Sequence, residues 1–396
     1  MRLLVLGAGL QGSACAYDLL ARGDEESGIE RVFLADLDVA SLPPFLERFR
    51  GDPRLETAAV DASSRDAVLD LMADADGCMN ALPYHFNLEI ARLAVEAGVH
   101  YCDLGGNTEI VFEQLELDDA ARAKNISVIP DCGLAPGMVN ILAAAAVDAM
   151  DETDVVRIRV GGLPQNPKPP LGYQIVYSLH GVLDYYTTRS WVLRDGEPAR
   201  VDALTGIETV EFPEPVGTLE AFHTGGGLST LPWSYRGRVR TMEYKTLRYP
   251  GHAQTMRAIR DLGLLDLDPV TVPVAAADDD GDEAEVVPRD IFIACAEPRL
   301  RDPDGRDLVA LRVEAEGARD GSPYRIVYDL VDRYDEATGI SAMERATGFS
   351  LAITGRMQAD GRIAAAGATT PDRCVPADDY IRELGRRGVH VRRREE

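Results

Sequence analysis

The stretch Arg2-Leu3-Leu4-Val5-Leu6-Gly7-Ala8-Gly9-Leu10-Gln11-Gly12 decides the fold. Residues 2–6 read as a buried parallel strand, the glycines follow as Gly-x-Gly-x-x-Gly, and Ser13 to Ala21 is helical in pattern. A strand, a glycine turn and a helix in that order separate a phosphate loop from a chance match. The first glycine makes the turn, the second lets the backbone approach a pyrophosphate, and the third allows close helix–strand packing. The pyrophosphate then sits at the positive end of the helix.

A second strand, residues 31–35, ends at Asp36, 24 residues after Gly12. The usual spacing is about 20, and Gly23 to Glu30 supplies a longer turn. A carboxylate there accepts both ribose hydroxyls and repels a 2′-phosphate, and Leu37-Asp38-Val39 brings no arginine. The expected cofactor is therefore NAD rather than NADP.

Further strands are expected at 57–60, 77–81, 100–104 and 127–130, alternating with helical stretches at 66–75 and 88–97. This alternation predicts a doubly wound parallel α/β sheet of Rossmann type. Ligands lie beyond the carboxyl ends of such strands. The expected cofactor contacts are therefore Gly7, Gly9, Leu10, Gln11, Gly12, Asp36, Asp61, the run Asn80-Ala81-Leu82-Pro83, Gly105 and Pro136.

After Gly133 to Gly137 and a helix at 138–149, strand-like alternation dominates, at 155–160, 309–313 and 324–330. That predicts an inserted α+β domain with a mostly antiparallel sheet. The expected division is 1–135 for the nucleotide domain, completed by a C-terminal return over 345–396, and 136–344 for substrate binding and dimerisation.

Forty-one basic against 66 acidic residues leave a net charge of −25. This excludes a generally basic nucleic-acid binder and anchoring on anionic lipid. Only Lys124, Lys168 and Lys245 are lysines, a balance that suits a salt-rich cytoplasm, where carboxylates hold water and salt screens their repulsion. No apolar run reaches the roughly 20 residues of a membrane span, and the short apolar N-terminus runs straight into the glycine turn without a cleavage-type segment. Six dispersed cysteines without CxxC argue against disulfides and for a cytoplasmic protein. Histidine and cysteine spacings give no metal site. Asp278 to Glu283 breaks the calcium-loop spacing at Gly281 and reads as a solvated acidic loop. Cys132 reads as a small packing residue.

The glycine loop, Asn80-Ala81-Leu82-Pro83, Asp103-Leu104-Gly105-Gly106 and Asp131-Cys132-Gly133-Leu134-Ala135-Pro136-Gly137 resemble the saccharopine dehydrogenase-like family. Gly161 to Pro164, Tyr177 to Gly181, Glu220 to Gly226 and Glu243 to His252 resemble its lysine 6-dehydrogenases. The resemblance implies NAD-dependent oxidation of the ε-amine carbon of L-lysine to the semialdehyde, with release of ammonia. It also leaves open saccharopine or carboxynorspermidine dehydrogenase chemistry, or a homospermidine synthase-like transferase that retains NAD. Family habit suggests a homo-oligomer, either a homodimer through the middle-domain sheet or a higher assembly.

Lysine oxidation needs a cation for the carboxylate, acceptors for the α-ammonium, a neutral ε-amine and a water to split the imine. Arg248 is the expected carboxylate fork. Lys245, three residues earlier, is a second cation or a proton carrier. Asp103 and Glu220 are candidates for the ammonium. His85, beyond Pro83, and His223, before three glycines, are candidates for proton transfer, with His252 behind them. Tyr173, Tyr177 and Gly226 are further substrate contacts. No general base is named by the sequence.

Overall fold

A computed structural model describes residues 1–21, 28–176, 178–273 and 283–396. Part of the Gly23–Glu30 turn, Tyr177 and Asp278–Asp282 of the acidic loop lie outside the described residues.

The first sheet is parallel and seven-stranded. Its strands include β1 (Arg2–Leu6), β2 (Arg31–Asp36), β3 (Leu55–Ala59), β4 (Gly77–Asn80), β5 (His100–Asp103) and β6 (Ser127–Ile129). The order is β3-β2-β1-β4-β5-β6, with the two-residue strand Gly367–Ala368 added beside β6. Leu4 of β1 pairs with Phe33 on one side and Cys78 on the other. Leu3, Leu4 and Val5 are wholly buried, as a strand with helices on both faces requires. The order reverses between β1 and β4, which opens a crevice at the carboxyl ends.

Helix α1 (Leu10–Ala21) starts three residues earlier than the periodicity predicts, inside the glycine loop. A Cβ on Gly12 would stand 1.8 Å from the Gly7 carbonyl oxygen, so only glycine lets the helix begin this close to β1.

The second sheet is built around the 13-residue strand Glu152–Pro164. Val239–Arg248 runs parallel to it on one side and Asp307–Arg319 antiparallel on the other. Thr218–His223 and Glu208–Glu211 extend it past Val239–Arg248, and Ser322–Arg333 past Asp307–Arg319. Alternation gives this sheet two distinct faces. Ile158, Val160, Met242, Tyr244, Val309 and Leu311 point into the same core as helices Met138–Asp148 and Ala342–Ala359, the side of the nucleotide domain. Leu163, Leu247 and Ala310 point the other way, under the 210–219 segment.

The chain returns through Ala342–Ala359, which is capped by a reciprocal box between Ser341 and Glu344. It packs on α1, β4 and β5, and Gln358 Nε2 donates to the carbonyls of Tyr101 and Ser127. The end of the chain departs from the expected return. Arg392–Glu395 pairs antiparallel with Ser322–Arg333, so the tail joins the second sheet and not the first.

Arg387 pins this return. Its guanidinium grips Asp18 on α1 at 2.7–2.9 Å and Glu383 at 2.6 Å, with all three side chains at most 5 % exposed. Burial alone would raise the Glu383 carboxyl, but the bonds and charges of Arg387 and Arg362 pull it down to about 2. Arg387→Met should cost about 3–5 kcal/mol, because two carboxylates each lose a buried guanidinium partner inside the fold; urea unfolding measures it. Because the folded value lies below the unfolded one, the Glu383 contribution is present above about pH 4.3. It should fade as pH falls toward about 2.

Candidate active site

The glycine loop fits a dinucleotide. A Cβ on Gly9 would meet no atom within 4 Å, and Leu10 is half exposed beside it. Gln11 Oε1 is buried without a hydrogen-bond partner among the described residues. Asp36 Oδ2 accepts from the Ala8 N–H at 2.6 Å, which ties the acid at the end of β2 to the loop. The exposed carboxylate of Asp61 accepts from the N–H and hydroxyl of Ser63 and shapes the turn after β3. Ala81 and Leu82 are partly open, Pro83 and His85 are exposed, and the Ala135–Pro136 peptide is cis.

Two polar residues expected to face the crevice turn inward instead. Asn80 is fully buried, where it donates to Asn87 Oδ1 and accepts from the Leu82 N–H. Asp103 is also fully buried. Its Oδ1 accepts from the N–H groups of Gly105 and Asp131, and its Oδ2 from Tyr101 and Gln114. Burial raises its pKa and those four bonds partly offset the rise. With its acceptor sites taken, Asp103 organises the strand ends and is not an ammonium ligand.

The sheet's two faces sort the remaining candidates. Lys245 and His223 are register partners on the face turned away from the nucleotide domain. There Glu243 accepts from Arg194 at 2.7 Å and lies 3.3 Å from His223 and 3.5 Å from Lys245. Lys245 also pairs with Glu208, which Arg159 holds at 2.8 Å. Burial would raise Glu243, yet His223, Arg194 and Lys245 hold it well below the usual carboxylate range. This ion network braces the far face, so Lys245 and His223 do not meet the cofactor side.

Arg248, Thr246 and Tyr244 occupy the near face. Arg248 is 3 % exposed. Its Nε donates to the Tyr186 hydroxyl at 3.2 Å, and its guanidinium lies 4.8 Å from the centre of the Tyr173 ring. Tyr173 is buried, and burial pushes its phenol up. His252 bonds Tyr186 at 2.9 Å and the Leu171 carbonyl at 3.1 Å. Burial and the Arg248 charge push His252 down to about 3, so it stays neutral and acts as a brace. Glu220, opposite Arg248, spends its carboxylate on the N–H groups of Gly251 and Ala253 and anchors the helix His252–Asp261. It is a helix cap and not a substrate contact.

The sequence reading missed Asp131 and Tyr185. Asp131 lies just past β6 with φ +63°, a rare conformation for a non-glycine residue. Gly105 makes room for it, since a Cβ there would stand 1.9 Å from Asp131 Oδ1. Burial, with Asp103 and Asp372 nearby, lifts this carboxyl to about 8 against the partial offset of Ser229. Tyr185 packs over Gly226, and the charges felt by its phenol include those of Tyr244, Asp131 and Tyr84. The left-handed backbone was the missed signal, and an Asp-Cys-Gly bend does not reveal it. Among the described residues no group of histidine, cysteine and acidic side chains is arranged to hold a metal, and no helix is long and apolar enough to cross a membrane.

Residues 3–129 match the saccharopine dehydrogenase NADP-binding domain, and residues 133–389 match the saccharopine dehydrogenase C-terminal domain. The chain belongs to the saccharopine dehydrogenase family. The NADP-dependent, L-glutamate-forming saccharopine dehydrogenase of Saccharomyces cerevisiae is 24 % identical over 96 % of each chain. The bovine mitochondrial alpha-aminoadipic semialdehyde synthase is 25 % identical over half of this chain and 22 % of its own length. Among solved structures, the apo yeast saccharopine dehydrogenase superposes with a TM-score of 0.79 at 21 % identity, covering 100 % of this chain and 99 % of its own. The homospermidine synthase of Legionella pneumophila in complex with NAD gives 0.69 at 12 % identity, covering 100 % and 91 %. This chain is thus an oxidoreductase of a dehydrogenase family with a pyridine-nucleotide-binding domain.

Placement on the far face has a measurable consequence. Lys245→Met should leave cofactor affinity unchanged and turnover within a few-fold. It should cost about 1–3 kcal/mol of stability by stripping a donor from two partly buried carboxylates. Steady-state kinetics and urea unfolding separate the two effects.

Proposed function

We propose that this chain oxidises the terminal amine carbon of an amino acid, with L-lysine as substrate and NAD as hydride acceptor. Arg248 carries the reading. It is a buried guanidinium on the same strand face as Tyr244, with a tyrosine ring beneath it. A planar fork in a desolvated site suits one carboxylate. The remaining length of the amino acid would then lie along Thr246 and Tyr244, with its amine beside Tyr185.

NAD, when bound, supplies the hydride acceptor. The chain supplies the rest. The Gly7–Gly12 turn and α1 would hold the pyrophosphate and Asp36 the adenosine ribose, and the loops Asn80–Pro83, Gly105–Gly106 and Ala135–Pro136 would hold the nicotinamide end. The buried Tyr173–Tyr186–His252 group fixes the Arg248 rotamer.

Asp36 followed by Leu37 and Asp38 favours NAD, whereas the matched domain and the yeast relative carry NADP in their descriptions. Saccharopine oxidation is the second reading, supported by that relative. The cytoplasmic homodimer expected from the sequence belongs to this proposal, and sedimentation checks the dimer.

The deciding assay is purified protein with NAD and L-lysine in concentrated potassium chloride, following reduced nicotinamide and ammonia together. Saccharopine turnover without lysine turnover would move the assignment to the second reading. Arg248→Ala should raise KM for the amino acid about 10- to 100-fold, the worth of a charged hydrogen-bond pair of ~1.5–3 kcal/mol, with cofactor affinity unchanged. An unaltered KM removes Arg248 from the substrate site. Asp36→Arg should weaken NAD and favour NADP, as read by the ratio of their kcat/KM values; an unchanged ratio overturns the role given to Asp36.

A further inference from the structure

The amine must lose a proton before its carbon can give up hydride, and none of the three candidate histidines holds that place. His252 is a neutral brace, His223 lies on the far face, and His85 stands exposed on the turn after Pro83.

Asp131 fits the task on three geometric grounds. Its carboxyl is 1 % exposed, and Oδ1 has no hydrogen-bond partner among the described residues. A buried, unpaired carboxyl oxygen is costly and calls for an explanation. Its backbone is held left-handed, and such strain gathers where a side chain has a task. It also lies where the domains meet. Gly105 and Pro136 of the nucleotide-domain loops pack beside it, and Ser229 stands over it from the second domain. The Ser229 hydroxyl is likewise buried, and it is the polar group that partly offsets the rise at Asp131. The loop carrying Ser229 follows three consecutive glycines and is tied down by Asn140 Nδ2 bonding the Leu228 carbonyl.

We propose that Asp131 is the proton acceptor of the reaction, taking a proton from the substrate's amine. This rests on the amine-oxidising reading above and deepens it. The N–H bond of the ammonium breaks and an O–H bond forms on the Asp131 carboxylate, leaving a neutral amine whose carbon can release hydride to the cofactor. After water splits the imine, the product nitrogen leaves as ammonium and the Asp131 proton returns to solvent. The groups facing Asp131 are Asp103 at the end of β5, Asp372 and Cys132 beside it, Ser229 from the second domain, and Tyr185 with Tyr84 beyond. The two acids and burial favour the protonated form, so the base becomes available as pH passes about 8.

The test is Asp131→Asn, assayed with L-lysine and NAD across pH 6–10 and melted across pH 4–9, with NAD binding measured by calorimetry. Wild-type kcat/KM should rise through about pH 8. The variant should lose that limb and fall about 10²–10⁴-fold at high pH, the range for a missing general base, with NAD affinity unchanged. The carboxyl is raised in the folded state, so the wild type loses stability relative to the variant as pH climbs from about 4 to about 8. The variant should therefore melt higher than wild type at pH 9 and equally near pH 4. A variant that keeps the wild-type pH profile, or melts lower at pH 9, overturns the role of Asp131 alone. A wild-type protein that binds NAD and oxidises no amine overturns the functional reading, and this role with it.

Discussion

The architecture of the crevice depends on one buried carboxylate. Asp103 closes β5 with no exposure to water and accepts four hydrogen bonds. Through Gly105 it sets the loop after β5, and through the Asp131 N–H it sets the bend after β6. Through Tyr101 it reaches Asn80 and Asn87, which hold the loop after β4. Three consecutive strand ends are thus aligned by one buried group. Removing water from a carboxylate is expensive, and the bonds keep it in place only if all its donors are present. That interdependence makes the rim of the crevice cooperative.

The nucleotide half was legible because its constraints are local. A glycine spacing, an apolar run and an acid ending a strand each act through neighbours in the chain. The seventh strand, Gly367–Ala368, was not legible. Two residues carry no periodicity, and their place beside β6 is set by contacts with Asp118 more than 200 residues away.

The substrate half was legible only as far as the strand. The segment Glu243 to His252 is conspicuous in the sequence, and alternation puts Lys245 and Arg248 on opposite faces. Which face meets the cofactor depends on how the second sheet packs on helices Met138–Asp148 and Ala342–Ala359, a long-range fact. The choice of Lys245, Glu220 and Asp103 followed charge type. Charge type does not distinguish a carboxylate spent on a helix cap or a strand end from one waiting for a ligand. Asp131 went unnoticed for the complementary reason: its signals are a positive φ and a missing hydrogen bond, and neither is written in residue identity.

Net charge bears on the substrate once the buried cation is in place. A chain carrying −25 surrounds its crevice with a negative potential that repels anions and draws in cationic amines. Arg248 acts against that field only at contact distance, where desolvation strengthens its grip on one carboxylate. Lysine, with one carboxylate and two ammonium groups, approaches with the field. A substrate with three carboxylates approaches against it and leaves two of them without this fork. Salt shortens the reach of the field to a few ångströms at molar concentration. The penalty on anionic substrates therefore shrinks in brine, while the buried pair is screened much less. Selectivity in such a chain passes from the outer charge to the inner geometry as salt rises, and the inner geometry holds a single arginine backed by Tyr173, Tyr186 and His252.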